Sequence, residues 1–143
     1  MPKRTVMMAV GRTKRAWEQK NRALAARLRI PEAYMKLALF LSRRPGETQK
    51  AAAEFLNVST PAVNQTLREM IAEGYVTKET DGEDRRLTRL TLTEKGTALA
   101  NRFRKEFEAR DRRITLALGE AEEARLIAAL DKIYDCIKEA DEC

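Results

Sequence analysis

Thr48-Gln49-Lys50-Ala51-Ala52-Ala53-Glu54-Phe55-Leu56-Asn57-Val58-Ser59-Thr60-Pro61-Ala62-Val63-Asn64-Gln65-Thr66-Leu67-Arg68 reads as helix, tight turn, helix. Thr48 and Ser59 each stand just ahead of a helical pattern, where a short hydroxyl side chain caps an unpaired backbone N–H. Asn57 falls where the first helix must stop, and Asn tolerates the left-handed conformation better than most residues. Pro61 lies in the first turn of the second helix, where its missing N–H costs nothing. Val63, Leu67, Met70 and Ile71 recur at i, i+4, i+7 and i+8, making one apolar face. Thr60, Pro61, Asn64, Gln65 and Arg68 are placed on the opposite face, with reach suited to base edges or phosphates. Taken alone, that face is equally well explained as a solvated surface.

The next segment changes the balance. Gly74 ends the helix, and Tyr75 to Thr80 alternates as a strand should. Asp81-Gly82-Glu83-Asp84-Arg85-Arg86 has the turn chemistry of a hairpin tip, and Leu90-Thr91-Leu92 restores the alternation on the way back. Arg85 and Arg86 suit a minor groove, whose negative potential attracts guanidinium groups. Asp84 is expected to orient one of them as a local counter-charge. A helix-turn-helix followed without a gap by a basic hairpin is a winged helix, ordinarily used to read double-stranded DNA.

With these elements in place the chain resembles the MarR family of bacterial winged-helix regulators. Asp84-x-Arg86-x-x-x-Leu90-x-Leu92-Thr93 is similar to the family's wing, an Asp-x-Arg leading into a strand that ends Leu-Thr. Thr48-Gln49 through Ala53 and Leu56, then Val58-Ser59, Val63, Leu67, Met70 and Gly74, is similar to its helix-turn-helix. The likeness extends more loosely over residues 12–140. Ala52 departs from the family's usual Leu. Asn64 and Gln65 replace its common Ser/Thr-Arg pair, which bears on the preferred DNA sequence and leaves the fold untouched.

The resemblance implies a mainly α fold with a small β-wing. Residues 31–93 would form the winged helix-turn-helix lobe of a single domain, and residues 12–29 and 94–140 the dimerisation helices. It also implies a homodimeric transcription regulator on a palindromic or nearly palindromic site. Ser59, Thr60, Pro61, Asn64, Gln65 and Arg68 would meet the major groove, and Asp84, Arg85 and Arg86 would serve the wing. Many such proteins answer to a small aromatic or phenolic acid. The matching cleft residues here would be Trp17, Arg29, Tyr34 and Met35, although core packing explains Trp17, Tyr34 and Met35 more simply.

Length and charge agree with this. A chain of 143 residues suits one domain. It carries 28 Lys plus Arg against 22 Asp plus Glu, a net charge of +6 that favours a polyanionic partner. The charge is uneven: residues 1–29 hold nine basic residues and one acidic, net +8, whereas residues 120–143 hold three basic and eight acidic, net −5. Solvated helix faces explain such runs. The family resemblance favours a basic arm meeting the acidic terminal helix of a second copy.

Breaks in the pattern divide the rest. Trp17 to Leu28 reads as a first helix, and Pro31 starts a second at its first turn, stopped by Arg44-Pro45-Gly46. Tyr34 to Leu41 is apolar nearly all round, as a central helix should be. Thr93 caps a long helix to about Leu118, with Leu99, Phe103 and Phe107 four apart. A last helix follows Gly119, with acidic Glu120, Glu122 and Glu123 in its first turn. Its stripe of Leu126, Ile127, Leu130, Ile133, Tyr134 and Ile137 is too wide to leave in water, and a partner subunit is the economical cover.

Enzymatic readings find little support. The chain has no histidine, which removes the usual general base and zinc ligand. Its two cysteines, Cys136 and Cys143, are too few and wrongly spaced for structural zinc. There is no Gly-rich phosphate loop. No enzyme activity, metal or cofactor is expected. No apolar run approaches a membrane span, and Met7-Met8-Ala9-Val10 is too short for a signal peptide, so a cytoplasmic protein is expected. The competing reading is a winged helix serving as a protein-interaction module without a DNA target.

Overall fold

Thr5 opens the first helix. Its backbone is extended and its hydroxyl accepts the Met8 N–H at 3.2 Å, which starts α1 (Val6–Leu28). The structure, a computed structural model, describes residues 2–141. α1 therefore begins well before the Trp17 start that the apolar stripe suggests. A good cap launches a helix through Val6–Ala16 that has little amphipathic pattern of its own. Arg29 closes it in the left-handed region, φ 56°, with its N–H on the Ala25 and Ala26 carbonyls. Pro31 then serves as the N-cap of α2 (Glu32–Arg43), one position ahead of the expected first turn.

α2 is the central helix of its unit. Tyr34, Met35, Leu37, Ala38, Phe40 and Leu41 are all buried. α3 (Gln49–Leu56) and α4 (Thr60–Ala72) follow, and their caps are those the sequence implied. The Thr48 hydroxyl accepts from the Ala51 N–H at 3.1 Å, and Asn57 makes the turn at φ 53°. Gly74, at φ 83°, then releases the chain into the wing.

The wing is an antiparallel pair, β1 (Val76–Thr80) and β2 (Thr88–Leu92), in register Val76↔Leu92 through Thr80↔Thr88. β1 starts one residue later than expected. Only Val76 on it is buried, so the Tyr75–Thr80 alternation does not mark an inner and an outer face. β2 carries the buried Leu90, which also pairs with the segment before α3. The Gly46 N–H donates to the Leu90 carbonyl at 3.0 Å, and the Leu90 N–H to the Glu47 carbonyl at 2.9 Å. This bridge ties the wing to the entrance of the helix-turn-helix, which is what lets the two act as one body.

α5 (Glu94–Leu118) and α6 (Glu120–Asp141) complete the chain, with Gly119 at φ 82° between them. Thr93 caps α5, its hydroxyl accepting the Gly96 N–H at 3.1 Å and donating to the Gly74 carbonyl at 2.6 Å. The described residues fall into two compact units divided between Phe103 and Arg104. The first takes in α1 as well as the expected lobe, because Leu24 and Ala25 are buried, and also the first turns of α5, whose Leu99, Ala100 and Phe103 join the core. In the second unit, no described side chain is buried. Leu126, Ile127, Leu130, Tyr134 and Ile137 are all exposed on α6. Among the described residues, no helix is long and apolar enough to cross a membrane.

Candidate nucleic-acid interface

Ser59 fixes the start of α4, its hydroxyl accepting the Ala62 N–H at 3.3 Å. Val63, Leu67 and Met70 then point into the core. Ile71 does not join them and is 36% exposed. At 3.6 residues per turn it falls roughly 70° from the centre of that arc, at the rim of the buried stripe. Asn64 shares this rim, so it is half-buried rather than outward-facing. Its Oδ1 is sealed from solvent without a hydrogen-bond partner. Thr60, Pro61, Gln65 and Arg68 are exposed as expected.

Glu69 joins that outward face, which the sequence pattern did not suggest. Arg68 Nη2 donates to Gln65 Oε1 at 2.8 Å, and Gln65 Nε2 donates to Glu69 Oε1 at 3.0 Å. The spacing of three and four residues would have flagged it, since such pairs share a helix face.

The wing tip closes on its own hydrogen bonds. The Asp81 N–H reaches the Leu87 carbonyl at 2.9 Å, and the Leu87 N–H reaches the Asp84 carbonyl at 3.0 Å. Asp84 performs the orienting role expected of it, accepting from the Arg86 backbone N–H at 3.0 Å and from Arg86 Nε at 3.2 Å. The Arg86 side chain is nonetheless 92% exposed, and Arg85 beside it is exposed too. Two guanidinium groups therefore face outward, one of them held in place.

Arg89 is a further wing residue that sequence reasoning missed. Its Nη2 donates to Asp81 Oδ2 at 3.0 Å and its Nη1 to the Gly46 carbonyl at 3.1 Å. The partner carbonyl is 43 positions away, beyond any local pattern. The Asp81 carboxyl is held below its ordinary value, first by the Glu83 backbone N–H and then by Arg89. Both donors favour its charged form, so the clamp is fully formed near neutral pH.

The expected effector residues differ in exposure. Tyr34 and Met35 are buried in the core. Tyr34 packs edge-on to Tyr75, with ring centroids 5.8 Å apart. Burial, and then a hydrogen bond to the Glu73 carboxylate, push its hydroxyl up to about 12. Trp17 is half-buried, and exposed Arg29 closes α1. A cleft of about 260 Å³ does open beside α4, lined by Glu32, Lys36, Leu37, Leu56, Val58 and Val63 among others, with none of the four anticipated residues. Cys136 is exposed, and Cys143 lies outside the described residues.

The sequence model of the MarR family matches residues 30–87, which run from the start of α2 to the wing tip. Over that stretch the chain is similar to the MarR family. The HTH-type transcriptional regulator PetP of Rhodobacter capsulatus is 28% identical over 110 residues, covering 71% of this chain and 66% of PetP. A putative MarR family transcriptional regulator from Listeria monocytogenes, complexed with 26mer DNA, superposes with a TM-score of 0.83 at 18% identity. That match covers 96% of this chain and 92% of the other. The transcriptional repressor CouR, bound to a 23-mer DNA duplex, matches with a TM-score of 0.76 at 25% identity, covering 91% and 92%. Within this winged-helix fold, α4 is the second helix of the helix-turn-helix and β1–β2 is the wing.

Proposed function

We propose that the chain is a sequence-specific, double-stranded DNA-binding transcription regulator that acts as a homodimer on a palindromic or nearly palindromic operator. The observation that carries this is the joint exposure, on one lobe, of the polar face of α4 and of the Arg85–Arg86 wing tip. α4 is long enough to lie in a major groove, and the wing arginines have the chemistry for the adjacent minor groove. The N-terminus of α4, at Ser59 and Thr60, offers unpaired backbone N–H groups to a phosphate. Supporting the dimer is the exposed apolar stripe of α6, which a second copy would cover. The DNA complexes of the similar Listeria and CouR proteins support the same reading.

Small-molecule control belongs to the proposal, with an aromatic or phenolic acid as the effector class. Tyr34 and Met35 are committed to the core, so such a ligand would rely on Trp17 and Arg29 instead.

Electrophoretic titration of an operator duplex with Arg86→Ala tests the wing assignment. Loss of this oriented guanidinium is expected to weaken binding by about 1–3 kcal/mol. The fold should be untouched, because the side chain is almost wholly in solvent. Unchanged affinity would remove the wing from the interface. Sedimentation at micromolar concentration tests the dimer, with a lone subunit as the contrary result.

A further inference from the structure

Gln65 lies opposite the buried arc of Val63, Leu67 and Met70, at the centre of the outward face of α4. An isolated glutamine at such a place reads adenine, because its amide matches the N7 acceptor and N6 donor in a bidentate pair. This glutamine is not isolated. Its Oε1 already accepts from Arg68 at 2.8 Å, and its Nε2 already donates to Glu69 at 3.0 Å. A carboxylate only accepts and a guanidinium only donates, so the two neighbours together decide which way the amide faces. One amide N–H and one Oε1 lone pair remain, alongside the unused N–H groups of Arg68. The reading edge is therefore donor-rich at Arg68, mixed at Gln65, and acceptor at Glu69.

The major-groove edge of a G·C pair fits that order. Guanine sets N7 and O6 as adjacent acceptors, and cytosine N4 follows as a donor. An A·T pair places its N6 donor between two acceptors, and meeting it with more donors leaves polar groups unpaired. We infer that Arg68, Gln65 and Glu69 form one specificity-determining unit that selects a G·C pair in each half-site, with Glu69 excluding A·T by setting its carboxylate against the thymine O4. The inference rests on the DNA-reading function proposed above. Glu69 acts in two ways. Its carboxylate accepts from cytosine N4, and the same carboxylate meets the O4 acceptor of a thymine with no proton to share. The second effect penalises the wrong partner rather than rewarding the right one. Such contacts are weak in water but strengthen when a duplex excludes solvent from the helix face.

Selection from a random duplex pool with the purified full chain, Gln65→Ala and Glu69→Gln provides the test. The wild-type chain is expected to fix G·C at one symmetric position per half-site, and Gln65→Ala to lose selectivity at that same position. Glu69→Gln is expected to admit A·T there, reducing discrimination by about tenfold. Its thermal unfolding should match wild type, since the side chain is exposed. Selection of A·T by the wild-type chain, an unchanged preference in Glu69→Gln, or relaxation at a different position would each overturn the inference while leaving DNA reading intact. Failure of the wild-type chain to enrich any duplex would overturn both.

Discussion

Raising salt from about 50 to about 200 mM is expected to weaken duplex binding by about 10³–10⁵-fold. The magnitude comes from counting charges. In the proposed dimer each copy presents Arg85 and Arg86 on the wing, Lys50 on α3, and the backbone N–H groups at the Ser59–Thr60 start of α4. That is three to five candidate phosphate contacts, and a symmetric pair doubles it to roughly six to ten. Each cationic contact releases condensed counterions, so log K falls nearly linearly with log salt, with a slope of about −0.9 per neutralised phosphate. Fluorescence anisotropy of a labelled duplex across this salt range measures the slope directly. A winged helix that instead docks proteins would retain no duplex, or would bind with a nearly flat slope. Arg86→Ala should reduce the slope as well as the affinity, which separates a phosphate contact from loss of folding.

The residues carrying that prediction differ in how visible they are in the sequence. Caps and turns are local, and Thr48, Asn57, Ser59 and Gly74 behave as their chemistry dictates. Arg86 and its Asp84 partner are two residues apart, so their pairing also follows from the sequence. What escapes is whatever depends on distant chain. The Glu47↔Leu90 bridge and the Arg89 clamp on the Gly46 carbonyl join segments more than forty residues apart. No period or spacing encodes them. Helix edges are a second blind spot. Ile71 and Asn64 differ sharply in polarity, and a binary pattern assigns them to opposite faces. Yet both sit on the rim of α4, where exposure depends on what packs alongside. The early start of α1 is a third case, since one hydroxyl at Thr5 outweighs a weak stripe. Tyr34 and Met35 are ambiguous for another reason: they serve the core of this single chain, and an apolar residue looks the same in a core and in a cleft.

Gly96→Ala is expected to destabilise the first unit by about 3 kcal/mol, a large effect for one added methyl group. In an open helix position, replacing Gly by Ala would stabilise by roughly 0.8–1.0 kcal/mol. Here the sign reverses because of what lies opposite. A Cβ on Gly96 would overlap the Tyr75 carbonyl oxygen and press against Leu92. Backbone cannot step aside as a flexible side chain would. That carbonyl also accepts the Thr93 N–H at 3.0 Å, and Thr93 caps α5 and anchors the Gly74 carbonyl at the start of the wing. Relieving the overlap therefore means loosening the junction where α4, β1 and α5 meet. The loss has three parts: overpacking, a strained hydrogen bond worth roughly 0.5–1.5 kcal/mol, and the docking of a helix whose Leu99, Ala100 and Phe103 are buried. Urea unfolding of the purified chain, followed by far-ultraviolet circular dichroism, measures it as a lower midpoint at unchanged slope. Lys95→Ala, one position earlier, gives the contrast: Lys95 donates to the Glu73 carbonyl at 2.7 Å from an exposed position and should cost well under half as much. Equal stability of Gly96→Ala and the wild-type chain would mean that α5 does not approach Tyr75 closely, and the placement of the wing against the helices would have to be redrawn.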